Sequence, residues 1–293
     1  MSRELLAIRR WKWASPLATA VFGIVAVSHL SVAHGPTRVS IEELTRRIGS
    51  DPGSAEHYLE RGELHRVDGD QRAAIRDFER AARLDPARAE VDLYRGRLAL
   101  ESGRYLEAEA ALTRFVARRP GHALARALRA RALARTGRWR RAAEDYSAAI
   151  ALEAHPSPEL YLERARVLAD AGDEQLGQAL RGLDAGIERL GEVATLDLYA
   201  IELELRRGEC DGALRRLDRI ASHAARKDPW LARRGEILEG AGRDREAREA
   251  YRRALDALEA VGGPRRHARA TTLREARLRG ALARLEPGLE ASP

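Results

Sequence analysis

Cysteine is nearly absent from this chain. A single Cys210 among 293 residues excludes an internal disulfide framework and any zinc or iron–sulfur site built from several thiolates. Aromatic residues are sparse too, with three Phe, four Trp and seven Tyr. With β-branched residues also few, the chain lacks the material for a large β-rich core. Lysine is reduced to Lys12 and Lys227, so nearly all of the 52 basic residues are arginine. Together with the abundance of alanine, this reads as a bias of the coding sequence rather than as selection for guanidinium chemistry. Catalytic motifs are missing as well. HExxH, GxxxxGK[ST], GxSxG and a strand-to-helix GxGxxG do not occur, so no enzyme activity, catalytic residue, cofactor or small-molecule substrate is expected. No metal site is expected either: His57 and His65 stand eight apart, whereas two ligands on one helix face want i, i+4 spacing. Cys210 reads as a packed small residue, the alternative being a surface thiol in an intermolecular disulfide.

What is present favours helix. Charged residues make up 33% of the chain, against roughly 25% in an average soluble protein, and Ala, Leu, Arg and Glu dominate. The net charge of +7 overstates how basic the body is. Residues 1–33 carry Arg3, Arg9, Arg10 and Lys12 against Glu4, which leaves +4 for the remaining 260 residues. A body so nearly balanced makes pI a poor argument for nucleic acid as a partner.

The first 33 residues have the order of a secretory signal. Arg9-Arg10-Trp11-Lys12 precedes an apolar run from Ala14 to Leu30, and Ser31-Val32-Ala33 offers small residues where a signal peptidase reads. Cleavage after Ala33 and a periplasmic or secreted destination are expected. The alternative is an uncleaved inner-membrane anchor, because residues 14–33 match the roughly 20 residues that cross a bilayer core. Pro16, Thr19, Ser28, His29 and Ser31 make that stretch a poor resident helix. Ile8 and Trp11 do not resemble a twin-arginine context. No Cys follows the apolar run, so a lipoprotein anchor at that site is excluded.

The rest of the chain is periodic. Glycines fall at Gly69, Gly103, Gly137, Gly172, Gly208 and Gly242, spaced 34, 34, 35, 36 and 34. Alanines follow at Ala74, Ala108, Ala142, Ala179, Ala213 and Ala247. Four residues after each stands a large apolar residue: Phe78, Leu112, Tyr146, Leu183, Leu217 and Tyr251. Pro52, Pro86 and Pro120 are also 34 apart. The glycine suits a tight turn between two helices. The alanine lets those helices approach, and the large residue one turn later fills the gap. One such hairpin cannot bury its apolar face alone, so neighbours must stack.

This pattern closely resembles the tetratricopeptide repeat, a 34-residue helix–turn–helix unit. The first repeat reads Tyr58, Arg61, Gly62, His65, Ala74, Phe78, Pro86. The third reads Arg129, Ala130, Leu133, Ala142, Tyr146, and the sixth Leu231, Arg234, Gly235, Leu238, Ala247, Tyr251. The fifth is weaker, with Ala200, Ile201, Ala213 and Leu217. The resemblance implies an all-α fold, an α-solenoid of about six repeats over residues 55–262. Ser40 and Glu43 form a capping box that opens an N-terminal half-repeat over 40–54, after a linker at 34–39. Gly262-Gly263-Pro264 breaks the chain before a capping helix within 263–286, and 287–293 is a tail. Arg61, Arg95, Arg129, Arg164 and Arg234 stand where the family often has leucine. Their stems can lie along the helix interface while their heads pair locally. In the fourth repeat two extra residues after Gly172, with Gly177, Gly182 and Gly186 in its second helix, predict a looser hairpin.

The resemblance also implies where a partner binds. In such arrays the first helices of the repeats line a concave groove. Carrying over the ninth position gives Glu63, Arg97, Arg131, Arg166, Glu202 and Glu236, with Arg135 one turn after Arg131. The fifth position gives Leu59, Leu93, Ala127, Leu162, Leu198 and Ala232 as an apolar floor, and Tyr94 and Tyr199 lie one residue beyond it. The candidate groove residues are therefore Arg97, Arg131, Arg135, Arg166, Tyr94, Tyr199, Leu93 and Leu162. They suit another protein or an acidic peptide segment. The groove arginines alternatively bridge to Glu60, Glu90 and Glu163. The Lys and Asn pattern of the chaperone-tail carboxylate clamp is absent. Ten arginines between Arg114 and Arg141, with no acid between Glu109 and Glu144, make a basic sector. An anionic envelope polymer or nucleic acid is the alternative ligand for it. Membrane contact is expected only through residues 14–33, and only if the signal is uncleaved.

Overall fold

A computed structural model of the protein describes residues 34–260 and 269–286. The export signal, the Gly262-Gly263-Pro264 break and the tail fall outside the described residues. Those residues hold fourteen α-helices and no strand. In chain order they are α1 (His34–Ser50), α2 (Ala55–Asp68), α3 (Gln71–Leu84), α4 (Glu90–Glu101), α5 (Tyr105–Arg118), α6 (Ala123–Arg135) and α7 (Trp139–Leu152). Then come α8 (Pro158–Ala171), α9 (Leu176–Leu190), α10 (Ala194–Arg206), α11 (Cys210–His223), α12 (Asp228–Gly240), α13 (Asp244–Glu259) and α14 (Arg269–Leu285). The fold is an all-α solenoid of helical hairpins, and within each unit helices adjacent in sequence pack on one another. It divides into two compact units, residues 1–98 and 99–293, with the boundary inside α4.

The three sequence ladders have one physical role each. All six turn glycines have positive φ, five of them between 71° and 87°, a region closed to most side chains. All six alanines are fully buried, and Phe78, Leu112, Tyr146, Leu183, Leu217 and Tyr251 are at most 3% exposed. Gly62 shows why the first helix also needs a small residue. A Cβ there would stand 2.6 Å from the Phe78 ring. Helix starts are tied down locally: Asp70 and Ser54 accept hydrogen bonds from the backbone N–H groups of Ala73 and His57.

The first unit has its own core of Leu59, Ala74, Phe78, Ala81, Val91 and Leu98. The second unit has two, one centred on Tyr146, Tyr161, Leu176 and Leu183, the other on Leu217, Leu238, Tyr251 and Leu278. Cys210 packs half-buried against the latter. In the C-terminal helix α14, Leu278 and Ala281 are buried on α13.

Two expectations need correction. Segment 34–39 is helical rather than a linker, because α1 begins at His34. Pro36 falls in its first turn, where a missing N–H costs nothing. Ser40 therefore lies inside the helix, and Glu43 reaches forward to Arg47 instead of closing a capping box. The fourth repeat is not loosened either. Its extra residues form a 3-10 turn at Asp173–Gln175, and α9 is a continuous helix. Gly182 and Gly186 are seats for large groups from α8. A Cβ at Gly186 would stand 2.9 Å from the Tyr161 ring, and one at Gly182 would collide with the Arg164 guanidinium.

Candidate partner-binding site

The arginine ladder is answered from the second helix of the hairpin. Arg61 on α2 donates Nε and Nη2 to Asp77 on α3 at 2.8 and 2.7 Å. Arg129 on α6 holds Asp145 on α7 in the same way, at 2.6 and 2.7 Å. Both aspartates are buried, and both arginines have their pKa raised, chiefly by that bond. The fifth repeat inverts the arrangement. Ala200 stands where the arginine would be, and Arg216, 16 residues on, pairs with Glu204, Asp184 and Asp197. The sequence carries this signal as an Arg–Asp spacing of 16, which lies inside one repeat and is therefore invisible to a 34-residue period.

The predicted groove residues separate into satisfied and unsatisfied groups. In the first unit, Arg97 is bound to Glu63 at 2.7 Å, and Glu63 also holds Arg66. Tyr94 stacks on Phe78 with centroids 5.8 Å apart. Leu93 is buried in the helix packing rather than offered on a floor. The same is true of Leu59 and Ala127. In the second unit, Leu162 is half-buried against the core, while Leu198 is 40% exposed. Arg166 reaches Glu163 at 3.3 Å and lies 5.8 Å from the centroid of the Tyr199 ring. Burial pushes the Tyr199 hydroxyl pKa up to about 12. Burial also raises the pKa of Glu202, against the lowering effects of Arg233 and Arg166.

Arg131 and Arg135 differ from the others. Both are exposed on α6, four residues apart and so on one face. No carboxylate lies within salt-bridge distance of either among the described residues. Arg131 sits near the buried Tyr146, whose hydroxyl donates to Glu163 at 3.2 Å; burial first, then Glu163, raises that hydroxyl's pKa. Arg135 lies over the Tyr105 ring, 4.9 Å from its centroid. Leu124, seven residues before Arg131, is 51% exposed on the same side of the helix. Tyr105 and Leu124 are contributors that the sequence reading missed, because neither departs from the repeat pattern.

The basic sector is neutralised only in part. Arg138 and Arg141 pair with Glu109, and Arg126 joins Arg129 on Asp145. Even so, residues 105–152 hold ten arginines against four acids, a net +6, whereas 34–104 and 153–293 each sum to −1. The positive charge of the body is thus concentrated in α5–α7. Charge, exposure and a nearby apolar side chain coincide on α6.

The tetratricopeptide repeat profile matches residues 59–123, 93–152 and 128–185, and a tetratricopeptide repeat-like domain profile matches 160–273. Among solved structures, the chain is similar to a tetratricopeptide repeat protein from Parabacteroides merdae, with a TM-score of 0.52 at 14% identity over 84% of this chain and 93% of that one. It is similar also to PilW, a type IV pilus biogenesis factor, with a TM-score of 0.53 at 20% identity over 64% and 86% of the two chains. Pseudomonas aeruginosa pilF gives 0.52 at 20% identity over 68% and 90%. At such identities the likeness is one of fold. No curated protein matches the sequence. The profile matches take in most of the chain, in register with the buried alanines and turn glycines, and the protein belongs to the tetratricopeptide repeat family.

Proposed function

We propose that the protein is a non-catalytic scaffold that acts outside the cytoplasm and holds an acidic segment of another protein against α6. A tetratricopeptide fold supports the general role, a surface for binding other proteins or peptides. The observation that carries the finer reading is the pair Arg131 and Arg135. These two exposed guanidiniums share one helix face in the basic part of the chain, with no carboxylate bound among the described residues. Guanidinium groups take carboxylates bidentately, and Leu124 offers an apolar contact beside them. Arg97 and Arg166 already hold Glu63 and Glu163, so they contribute less. The signal-like order of residues 1–33 supports the compartment.

Affinity capture from cell-envelope extract tests this, with the full chain beside its Arg131→Glu/Arg135→Glu variant and circular dichroism to confirm that both fold. The captured protein is then titrated against each. Charge-assisted hydrogen bonds contribute about 1.5–3 kcal/mol each, so the variant should bind at least about tenfold more weakly. Equal recovery by both would remove α6 as the site. A ligand that is a polyanion, with affinity falling steeply in salt, would favour the wider Arg114–Arg141 sector instead. Fractionation of cells settles the compartment, and recovery of the mature chain in the cytoplasm would refute export.

A further inference from the structure

The unanswered charges of the second unit change sign along it. Residues 153–210 hold thirteen acids against six arginines, a net −7, directly after the basic stretch that ends at 152. On the first helices of the repeats the change is local. Arg131 and Arg135 on α6 have no carboxylate partner among the described residues. On α8, Arg166 is held by Glu163, whereas Asp170, one turn on, is exposed and in no ion pair among the described residues. On α10, Arg206 is held by Asp173, whereas Glu202 is exposed and in no ion pair among the described residues. These positions form one connected row. Arg131 sits beside the Tyr146 hydroxyl, which donates to Glu163. Glu163 holds Arg166, and Arg166 lies over the Tyr199 ring. Helices α8 and α10 pack directly on one another. Leu198, Tyr199 and Glu202 share one face of α10, being four and three residues apart, and Leu198 is 40% exposed. Asp170 and Glu202 both lie close enough to Tyr199 to act on its hydroxyl. Burial raises the Glu202 carboxyl pKa even with Arg233 and Arg166 nearby, as for a carboxylate short of a close cation.

We propose that the protein segment held on the second unit is charge-polarised: its acidic end lies on Arg131 and Arg135 of α6, and a lysine or arginine further along it lies on Asp170 and Glu202, beside Leu198. This rests on the α6 reading above and adds to it a second contact and a direction. Two steps between packed helices, each about 10 Å, separate α6 from α10. An extended segment covers that span in about six residues, at roughly 3.3 Å each. A uniformly acidic segment long enough to reach α10 would meet like charge there, so the same two carboxylates select against a polyanion.

Three labelled peptides of equal length test this, titrated into the full chain at low salt by fluorescence anisotropy. The polarised peptide carries two glutamates and two lysines separated by six neutral residues. The second interleaves the same residues, and in the third glutamine replaces both lysines. The polarised peptide should bind about three- to tenfold more tightly than either of the others, the scale of one or two exposed ion pairs. Asp170→Asn/Glu202→Gln, two exposed changes, should remove that advantage and leave the lysine-free peptide bound as before. Circular dichroism confirms that this variant folds. Equal binding of the polarised and lysine-free peptides would overturn the proposal. If Arg131→Glu/Arg135→Glu still weakened the lysine-free peptide, the α6 reading would stand without it. An advantage that survives in Asp170→Asn/Glu202→Gln would also overturn the proposal, as would an interleaved peptide that binds like the polarised one. Binding of none of the three would sink both readings. Concentration-dependent self-association of the chain in sedimentation, abolished by Asp170→Asn/Glu202→Gln, would put a second copy in place of the partner segment and overturn the proposal.

Discussion

The hairpins α2–α3 and α6–α7 have the same interior and different surfaces. In both, a fully buried alanine and a ring four residues later close the helix pair: Ala74 with Phe78, and Ala142 with Tyr146. In both, an arginine on the first helix grips a buried aspartate 16 residues on. Outside that frame they diverge. Residues 55–84 carry six arginines and seven acids, whereas 123–152 carry seven arginines and two acids. At the ninth position of the unit, Glu63 is held by Arg66 and Arg97, while Arg131 has no carboxylate among the described residues. The interior positions are fixed by packing, which tolerates little change. The surface positions are free to specialise, and in this chain the specialisation is charge.

The largest effects should come where the two hairpins are alike. Ala142→Asp and Ala74→Asp each place a carboxylate in a tight helix contact with neither room nor partner. Each should cost about 3–5 kcal/mol, read as a lower denaturant midpoint in urea. A wild-type midpoint for either would show that the shared frame is wrong. Next in size is the buried ion pair. Asp145→Ala and Asp77→Ala each strand an arginine, and each should lose about 3 kcal/mol. A much smaller loss at Asp77 than at Asp145 would show that His65, with Nε2 3.9 Å from Asp77, or other neighbours make the two frames unequal.

The smallest effect lies where the hairpins differ at a helix start. Asp70 caps α3, but Arg138 precedes α7 and makes no side-chain cap bond. The Asp70 carboxyl is held below its ordinary pKa, chiefly by the Ala73 N–H. A folded-state pKa that is depressed adds stability that is present above the unfolded value, near 3.9. That stability is lost as pH falls through the folded value. Asp70→Asn keeps a capping oxygen but cannot titrate, so the slope of stability against pH should flatten below about pH 4. An unchanged slope in urea melts at several pH values would show that the cap charge adds nothing.

How far the sequence could be read depended on how local each feature is. The turn at Gly137 and the contact at Ala142 were legible because backbone sterics and helix periodicity act within one hairpin. The fourth repeat was misread because glycine was weighed only by helix propensity. Gly182 and Gly186 matter for the side chains they admit, Arg164 and Tyr161, which come from another helix. The linker reading of 34–39 failed for a similar reason. A good capping box at Ser40 does not stop a helix that can start earlier through Pro36. Of the candidate groove residues, Arg97 and Arg166 could not be separated from Arg131 by position, since all three occupy the same place in the repeat.

The sequence by itself determined the period, the helical hairpin, the buried alanine ladder and the concentration of arginine in 105–152. These follow from steric and hydrophobic preferences that recur every 34 residues, and from composition. Only the tertiary structure decided which arginines are spoken for. Arg129 and Arg131 are two residues apart, yet one is locked to Asp145 on the next helix and the other has no acid in reach among the described residues. An ion pair depends on separation and burial in space, and packing sets both. The same geometry leaves Arg164 facing Gly182 on the next helix, and no spacing in the chain announces that meeting.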